Sequence, residues 1–230
     1  MSGIRAIEGI AAVIDIDNLD TDQIMPKQFL RGIDKSGLDM GLLWDLRFDG
    51  AGSPRPDFVL NQPAWAHTRI LIGGANFGCG SSREHAVWGL QQFGIGAVIA
   101  PSFGEIFQSN AVNNGLLALV LAPHEVRALV AEAVRSSAPL RVSVDLGDLT
   151  VRTAESCFAF HLAMRHRQML QEGIDMIGAT LKHQHEIAAF AERHWAARPW
   201  LRDVGSRVRQ KLDQADPAPS AGEIIASSEC

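Results

Sequence analysis

Residues 69–93 constrain this chain more than any other stretch. The apolar run Arg69-Ile70-Leu71-Ile72 empties into Gly73-Gly74-Ala75-Asn76-Phe77-Gly78-Cys79-Gly80-Ser81-Ser82-Arg83-Glu84-His85-Ala86, and Val87-Trp88-Gly89-Leu90-Gln91-Gln92-Phe93 follows with helical spacing. A strand that passes through a glycine-rich connection into a helix implies an α/β layer. Ser81 and Glu84 stand at capping-box spacing, which predicts a helix starting at Ser81. Free N–H groups, a positive dipole end, two hydroxyls and the Arg83 guanidinium would then meet at one point suited to an anion.

Generic phosphate loops do not fit. No Lys follows Gly80, so this is not a P-loop, and Gly78-Cys79-Gly80-Ser81-Ser82-Arg83 lacks the last glycine of a dinucleotide fingerprint. A plain helix cap would explain Ser81 and Glu84. It leaves the four glycines, the Ser-Ser pair and the adjacent Arg unexplained.

The segment Asn76 to Ala86 closely resembles the signature loop of the small subunit of 3-isopropylmalate dehydratase, a relative of the swivelling C-terminal domain of aconitase. Three further segments carry the same resemblance in the same order: Asn18-Leu19-Asp20-Thr21-Asp22-Gln23-Ile24 through Leu30, Ala100-Pro101-Ser102-Phe103-Gly104-Glu105-Ile106-Phe107 with Asn113-Asn114-Gly115, and Gly173-Ile174-Asp175-Met176-Ile177. The resemblance spans about Ile10 to His194. It implies a three-layer swivelling β/β/α domain over residues 1–198 with a helical C-terminal segment. Residues 199–230 then form an extension, read as partly disordered because 213–230 are rich in Pro, Ala and Ser.

Composition narrows the function classes. The chain is 47% hydrophobic and 20% charged, ordinary values for a globular protein with a sizeable core. A net charge of -5 and the lack of a dense Lys/Arg run argue against a nucleic-acid face. No apolar run approaches the ~20 residues that span a bilayer, and no secretory leader is evident, so the cytoplasm is expected. Cys79, Cys157 and Cys230 are too scattered for a zinc ribbon or a ferredoxin-like ligand run. No metal ligands are therefore assigned to this chain, and the resemblance implies a 4Fe-4S cluster held by a separate large subunit.

Elsewhere the pattern alternates. Strands are expected at Ile10–Ile16, around Ile70, at Ala97–Ala100 and at Leu116–Leu121. Ser102 and Glu105 offer a second capping box, and Gly115 a helix stop. A helix follows Pro123 with an apolar stripe of Val126, Leu129, Val130, Ala133 and Val134; Leu140–Asp145 and Leu149–Thr153 suggest a hairpin; and residues 161–195 read as helical. Residues 32–68 show no sustained period and read as a long, partly structured excursion. The acidic turn after the first strand fails as an EF-hand, because Asp20 stands at the glycine position and Pro26 at the Glu position.

The reaction implied by the resemblance removes and re-adds water on a hydroxy diacid, 2-isopropylmalate to 3-isopropylmalate, in leucine biosynthesis. On that match Ser81 is the base, acting as an alkoxide, with Asp22 and Asp20 as acidic partners that orient a histidine or water of the large subunit. Arg83, Ser82, Lys27, Arg31 and Thr21 are the candidate contacts to substrate. Arg83 suits a carboxylate because its planar fork binds bidentately. Simpler readings stand beside these: Ser81 as a helix cap, Asp20 and Asp22 as an Asx turn, Lys27 and Arg31 as solvated charge. His85 could pair with Ser81 or serve as a packing element, and a Cys79–His85 hydrolase lacks a third orienting group.

Departures from the family pattern fall at Leu43-Trp44-Asp45-Leu46-Arg47-Phe48, at Arg165-His166 and in the longer C-terminus. They leave the chemistry intact and open the choice of substrate, so a paralogue for a related alkylmalate such as dimethylmalate is the nearest alternative. A non-catalytic module on the same fold is the alternative from another class.

Overall fold

A computed structural model describes residues 3–30, 36–81 and 83–214. Contact density divides the chain into two compact units, residues 1–179 and 180–230; the boundary expected at 198 falls inside the second. The first unit is built on one seven-stranded sheet with the strand order β4-β3-β2-β1-β5-β6-β7. Strands β1 (Ala6–Ile14), β2 (Thr68–Gly73), β3 (Ala97–Ala100) and β4 (Leu117–Val120) run parallel. Strands β5 (Arg141–Asp145), β6 (Thr150–Arg152) and β7 (Cys157–Ala159) extend the sheet antiparallel from β1.

The parallel strands read as unbroken apolar runs because both faces of the sheet are covered. Leu71, Val98, Ala100 and Ala118 point into one hydrophobic layer, and Ile70, Ile72, Ala97, Ile99, Leu117 and Leu119 into the other. On the first face lie α3 (His85–Phe93) and α4 (Glu105–Asn114), through Ala86, Val87, Leu90, Phe107 and Ala111. The opposite face takes Val126 and Leu129 of α5 (Pro123–Arg135) and Leu170 of α6 (Met164–Glu172). Val134, expected on the same stripe of α5, is 79% exposed instead.

The excursion before β2 is more ordered than its sequence suggested. Preceded by α1 (Thr21–Ile24), it carries α2 (Trp44–Arg47) and several 3-10 turns, and sends Leu38, Leu42, Leu43 and Leu60 into the core. Side chains hold these aperiodic turns together. Arg47 donates to Asn61 Oδ1 at 3.2 Å and to the Leu42 carbonyl at 3.1 Å, while Asn61 donates back to the Arg47 carbonyl at 2.6 Å. Burial pulls the Arg47 guanidinium below its ordinary range, and the charge of Asp39 opposes that pull.

Beyond β7 the expected helix from 161 to 195 is interrupted. Gly173 ends α6 with φ of 67°, α7 (Met176–Leu181) crosses the division between units, and α8 (Gln184–Ala197) follows. The second unit also contains α9 (Val204–Gln214), so the extension past 198 is helical through 214. No helix among the described residues is long and apolar enough to cross a membrane.

Candidate functional site

Three connections meet at the carboxyl ends of the adjacent strands β1, β2 and β3, the end of a parallel sheet where ligands commonly bind. The connection after β1 and the glycine loop after β2 are laced together. Asn18 N–H donates to the Ala75 carbonyl at 2.8 Å, Gly78 N–H to the Leu19 carbonyl at 2.7 Å, and Thr21 N–H to the Cys79 carbonyl at 2.9 Å. Ala75 N–H reaches Asp17 Oδ1 at 2.7 Å, and Asn76 Nδ2 reaches Asn18 Oδ1 at 2.9 Å. Asn18 and Asn76 both adopt φ of 57°, a conformation their short amides tolerate better than other side chains do. The connection after β3 joins from the other side: Phe77 N–H donates to the Ser102 carbonyl at 3.0 Å, and Asn76 N–H to Ser102 Oγ at 2.8 Å.

Gly78 cannot be another residue here. Its φ is 72°, and a Cβ would overlap the Phe107 ring of α4.

Both expected Ser-x-x-Glu caps are absent. Helix α3 starts at His85, with Glu84 at its N-cap and no side-chain cap bond, so Ser81 lies in the loop. Glu84 is drawn away: its Oε1 accepts from Asn114 Nδ2 at 2.6 Å, and Asn114 Oδ1 accepts from Trp88 Nε1 at 2.9 Å. Ser102 is engaged by Asn76, so α4 starts after Gly104 without a side-chain cap. The reciprocal capping box stands instead at Asp20–Gln23. Gln23 N–H donates to Asp20 Oδ1 at 2.7 Å, and Asp20 N–H to Gln23 Oε1 at 3.0 Å. The Asp-x-x-Gln spacing carried that signal in the sequence.

Most of the candidate residues converge. Ser81 is exposed, and its hydroxyl makes no hydrogen bond among the described residues. Its carbonyl accepts from Thr21 Oγ1 at 2.7 Å and from Arg83 N–H at 2.8 Å. The Arg83 guanidinium is ion-paired through Nη1 with Asp22 Oδ1, and Lys27 Nζ stands 3.9 Å from Asp22 Oδ2. Two successive residues of α1 therefore hold two of the candidate residues, Thr21 holding Ser81 and Asp22 holding Arg83.

Three expectations change. Thr21 is 1% exposed with its hydroxyl committed to the Ser81 carbonyl, which opposes a direct substrate contact. Asp20 spends a carboxylate oxygen on capping α1, which opposes an acid–base role. The anion point at the start of α3 does not include Ser81, because the helix begins four residues later. Ser82 and Arg31, both expected to contact substrate, lie outside the described residues.

Cys79 and His85 do not form a dyad. The Cys79 thiol lies 3.4 Å from the Asn18 carbonyl, and the His85 ring packs on Trp88 with centroids 4.7 Å apart. Among the described residues no three His, Cys, Asp or Glu side chains gather to hold a metal ion, and Cys79 and Cys157 are separate free thiols. The described residues do not offer the set of thiolates that an iron–sulfur cluster takes.

Comparison with known proteins bears directly on this arrangement. Residues 1–124 match the family model described as the aconitase C-terminal domain, and residues 176–204 match that for the C-terminal domain of the 3-isopropylmalate dehydratase small subunit. The chain is 58% identical to 3-isopropylmalate dehydratase small subunit 1 of Chromobacterium violaceum over 208 residues, covering 90% of this chain and 97% of that one. It is 44% identical to the corresponding small subunit 1 of Mannheimia succiniciproducens, covering 88% and 100%. A crystal structure of 3-isopropylmalate dehydratase from Methanocaldococcus jannaschii superposes with a TM-score of 0.57 at 27% identity, over 80% of this chain and 98% of that one.

Proposed function

Because the chain belongs to the family of 3-isopropylmalate dehydratase small subunits, with the aconitase C-terminal fold, we propose that it is the small subunit of a hydro-lyase interconverting 2-isopropylmalate and 3-isopropylmalate. It works with a large subunit in the cytoplasm, in leucine biosynthesis. The observation that carries the proposal is that α1 holds both Ser81, exposed and with no hydroxyl hydrogen bond among the described residues, and Arg83, two residues on, over the carboxyl ends of β1 and β2.

Each group has a role in dehydration. Arg83 holds a substrate carboxylate with the guanidinium nitrogens that Asp22 leaves available. Ser81, as the alkoxide, takes a proton from the carbon beside a carboxylate. The C–H electron pair becomes the second bond of the alkene, and hydroxide leaves from the neighbouring carbon. Return of water in the opposite regiochemistry gives the isomer. Asp22 keeps the Arg83 fork fixed, and Lys27 adds positive charge at the rim. A 4Fe-4S cluster on the large subunit supplies the Lewis acidity that hydroxide loss needs.

The relatives are themselves small subunits, which supports this division of labour, since the described residues of this chain offer no ligand set for the cluster. Co-expression with a candidate large subunit, anaerobic purification and an alkene-absorbance assay on 2-isopropylmalate test the proposal. Turnover is expected only for the pair. Turnover on dimethylmalate in preference to isopropylmalate would favour the paralogue reading, and an inert pair would favour the non-catalytic one.

A further inference from the structure

We infer that Thr21 is a positioning residue for Ser81, acting through the serine backbone and not through substrate. The inference rests on the proposed role of Ser81. Every polar group of Thr21 is already committed: its hydroxyl donates to the Ser81 carbonyl at 2.7 Å, its N–H to the Cys79 carbonyl at 2.9 Å, and its carbonyl accepts from Met25 N–H at 3.0 Å. The residue is 1% exposed, so these bonds are shielded from water.

The anchor itself is firm. Helix α1 is closed by the reciprocal Asp20–Gln23 cap, Ile24 is fully buried, and Leu43 N–H donates to the Ile24 carbonyl at 2.9 Å. The segment it holds is not. Gly80, immediately before Ser81, is exposed with φ of 87°, a position where the backbone can swing readily. Besides Thr21, Ser81 has one other bond among the described residues, from Arg83 N–H within the same loop. Thr21 is therefore the one tie from the Ser81 backbone to a rigid element in that set. Fixing the carbonyl anchors the Cα that carries the Ser81 side chain, and so narrows where an alkoxide would stand. A misplacement of about 1 Å can cost about a hundredfold in rate.

Thr21→Val keeps the shape and removes the donor; Thr21→Ser keeps the donor and removes the methyl. In the complex with the large subunit, Thr21→Val is expected to lower kcat about ten- to a hundredfold with KM within about threefold, and to raise the primary isotope effect for substrate deuterated at the abstracted position. Thr21→Ser should return to within about threefold of wild type. A second readout needs no turnover. In the full chain alone, amide hydrogen exchange at Arg83 should accelerate at least about tenfold in Thr21→Val and not in Thr21→Ser, with α5 unchanged. Equal kcat in Thr21→Val and wild type, equal losses in the two variants, or unaltered exchange at Arg83 would each overturn the inference. A wild-type complex inert on isopropylmalate would count against the proposed function alone, and the exchange measurement would still decide on Thr21.

Discussion

Arg83 and Asp22 meet through Nη1 and Oδ1, and both atoms are sealed from solvent although the Asp22 side chain is 39% exposed. One end of the carboxylate is thus locked on the guanidinium while the other faces Lys27 and water. The pair presents a pre-oriented fork instead of a flexible cation, which is the condition for bidentate capture of a substrate carboxylate.

Replacing Arg83 with Lys keeps the charge and loses the fork. The reconstituted enzyme should lose about ten- to a hundredfold in kcat/KM, mostly through KM. Asp22→Asn should cost about tenfold, with a stability loss of about 1 kcal/mol because the pair is only partly buried. Steady-state kinetics and urea unfolding of each variant check both figures. An unchanged KM in Arg83→Lys would contradict the assignment of carboxylate binding.

The paired asparagines make a separate prediction. Asn76→Val forces a β-branched residue into the left-handed region and removes the bond to Asn18, so it should destabilise the chain by about 2–3 kcal/mol. Asn76→Gly relieves the backbone and loses only the bond, and should cost about 1 kcal/mol or less. Chemical denaturation separates the two. Equal losses would mean that backbone conformation plays no part.

How legible was this in the sequence? The parallel strands were, because buried parallel strands are written as continuous apolar runs such as Ile70-Leu71-Ile72 and Ala97-Val98-Ile99-Ala100, whereas β7 was not. The convergence of Ser81, Arg83, Asp22 and Lys27 followed from the family motifs. The starts of α3 and α4 were not legible, since Ser-x-x-Glu spacing is local while Asn114 and Asn76, distant in sequence, claim Glu84 and Ser102; the start of α5 at Pro123 was. Nor was the excursion around Arg47 legible. It is held by side-chain bonds to backbone carbonyls, which leave no period to read. The burial of Thr21 is a tertiary fact of the same kind: motif resemblance groups it with Asp20 and Asp22 and says nothing of which way it faces.

Acid stability has one identifiable contributor away from the site. The N–H groups of Asp148 and Gly147 hold the Asp145 carboxyl below its ordinary value of 3.8, with Arg152 and Arg167 helping. A carboxylate depressed on folding contributes its stability in full above 3.8 and loses it as pH falls through the lower, folded value. Wild type should therefore exceed Asp145→Asn in urea resistance at about pH 7, and the gap should close below the ordinary value. A gap that widens on acidification would contradict this.

The most direct measurement of the central claim is turnover by the Ser81→Ala chain assembled with its large subunit, read by alkene absorbance alongside substrate affinity. Loss of at least about a thousandfold in kcat, with the complex intact and substrate affinity within a few-fold of wild type, is the predicted result. Turnover near the wild-type rate would contradict the assignment of Ser81 as the base.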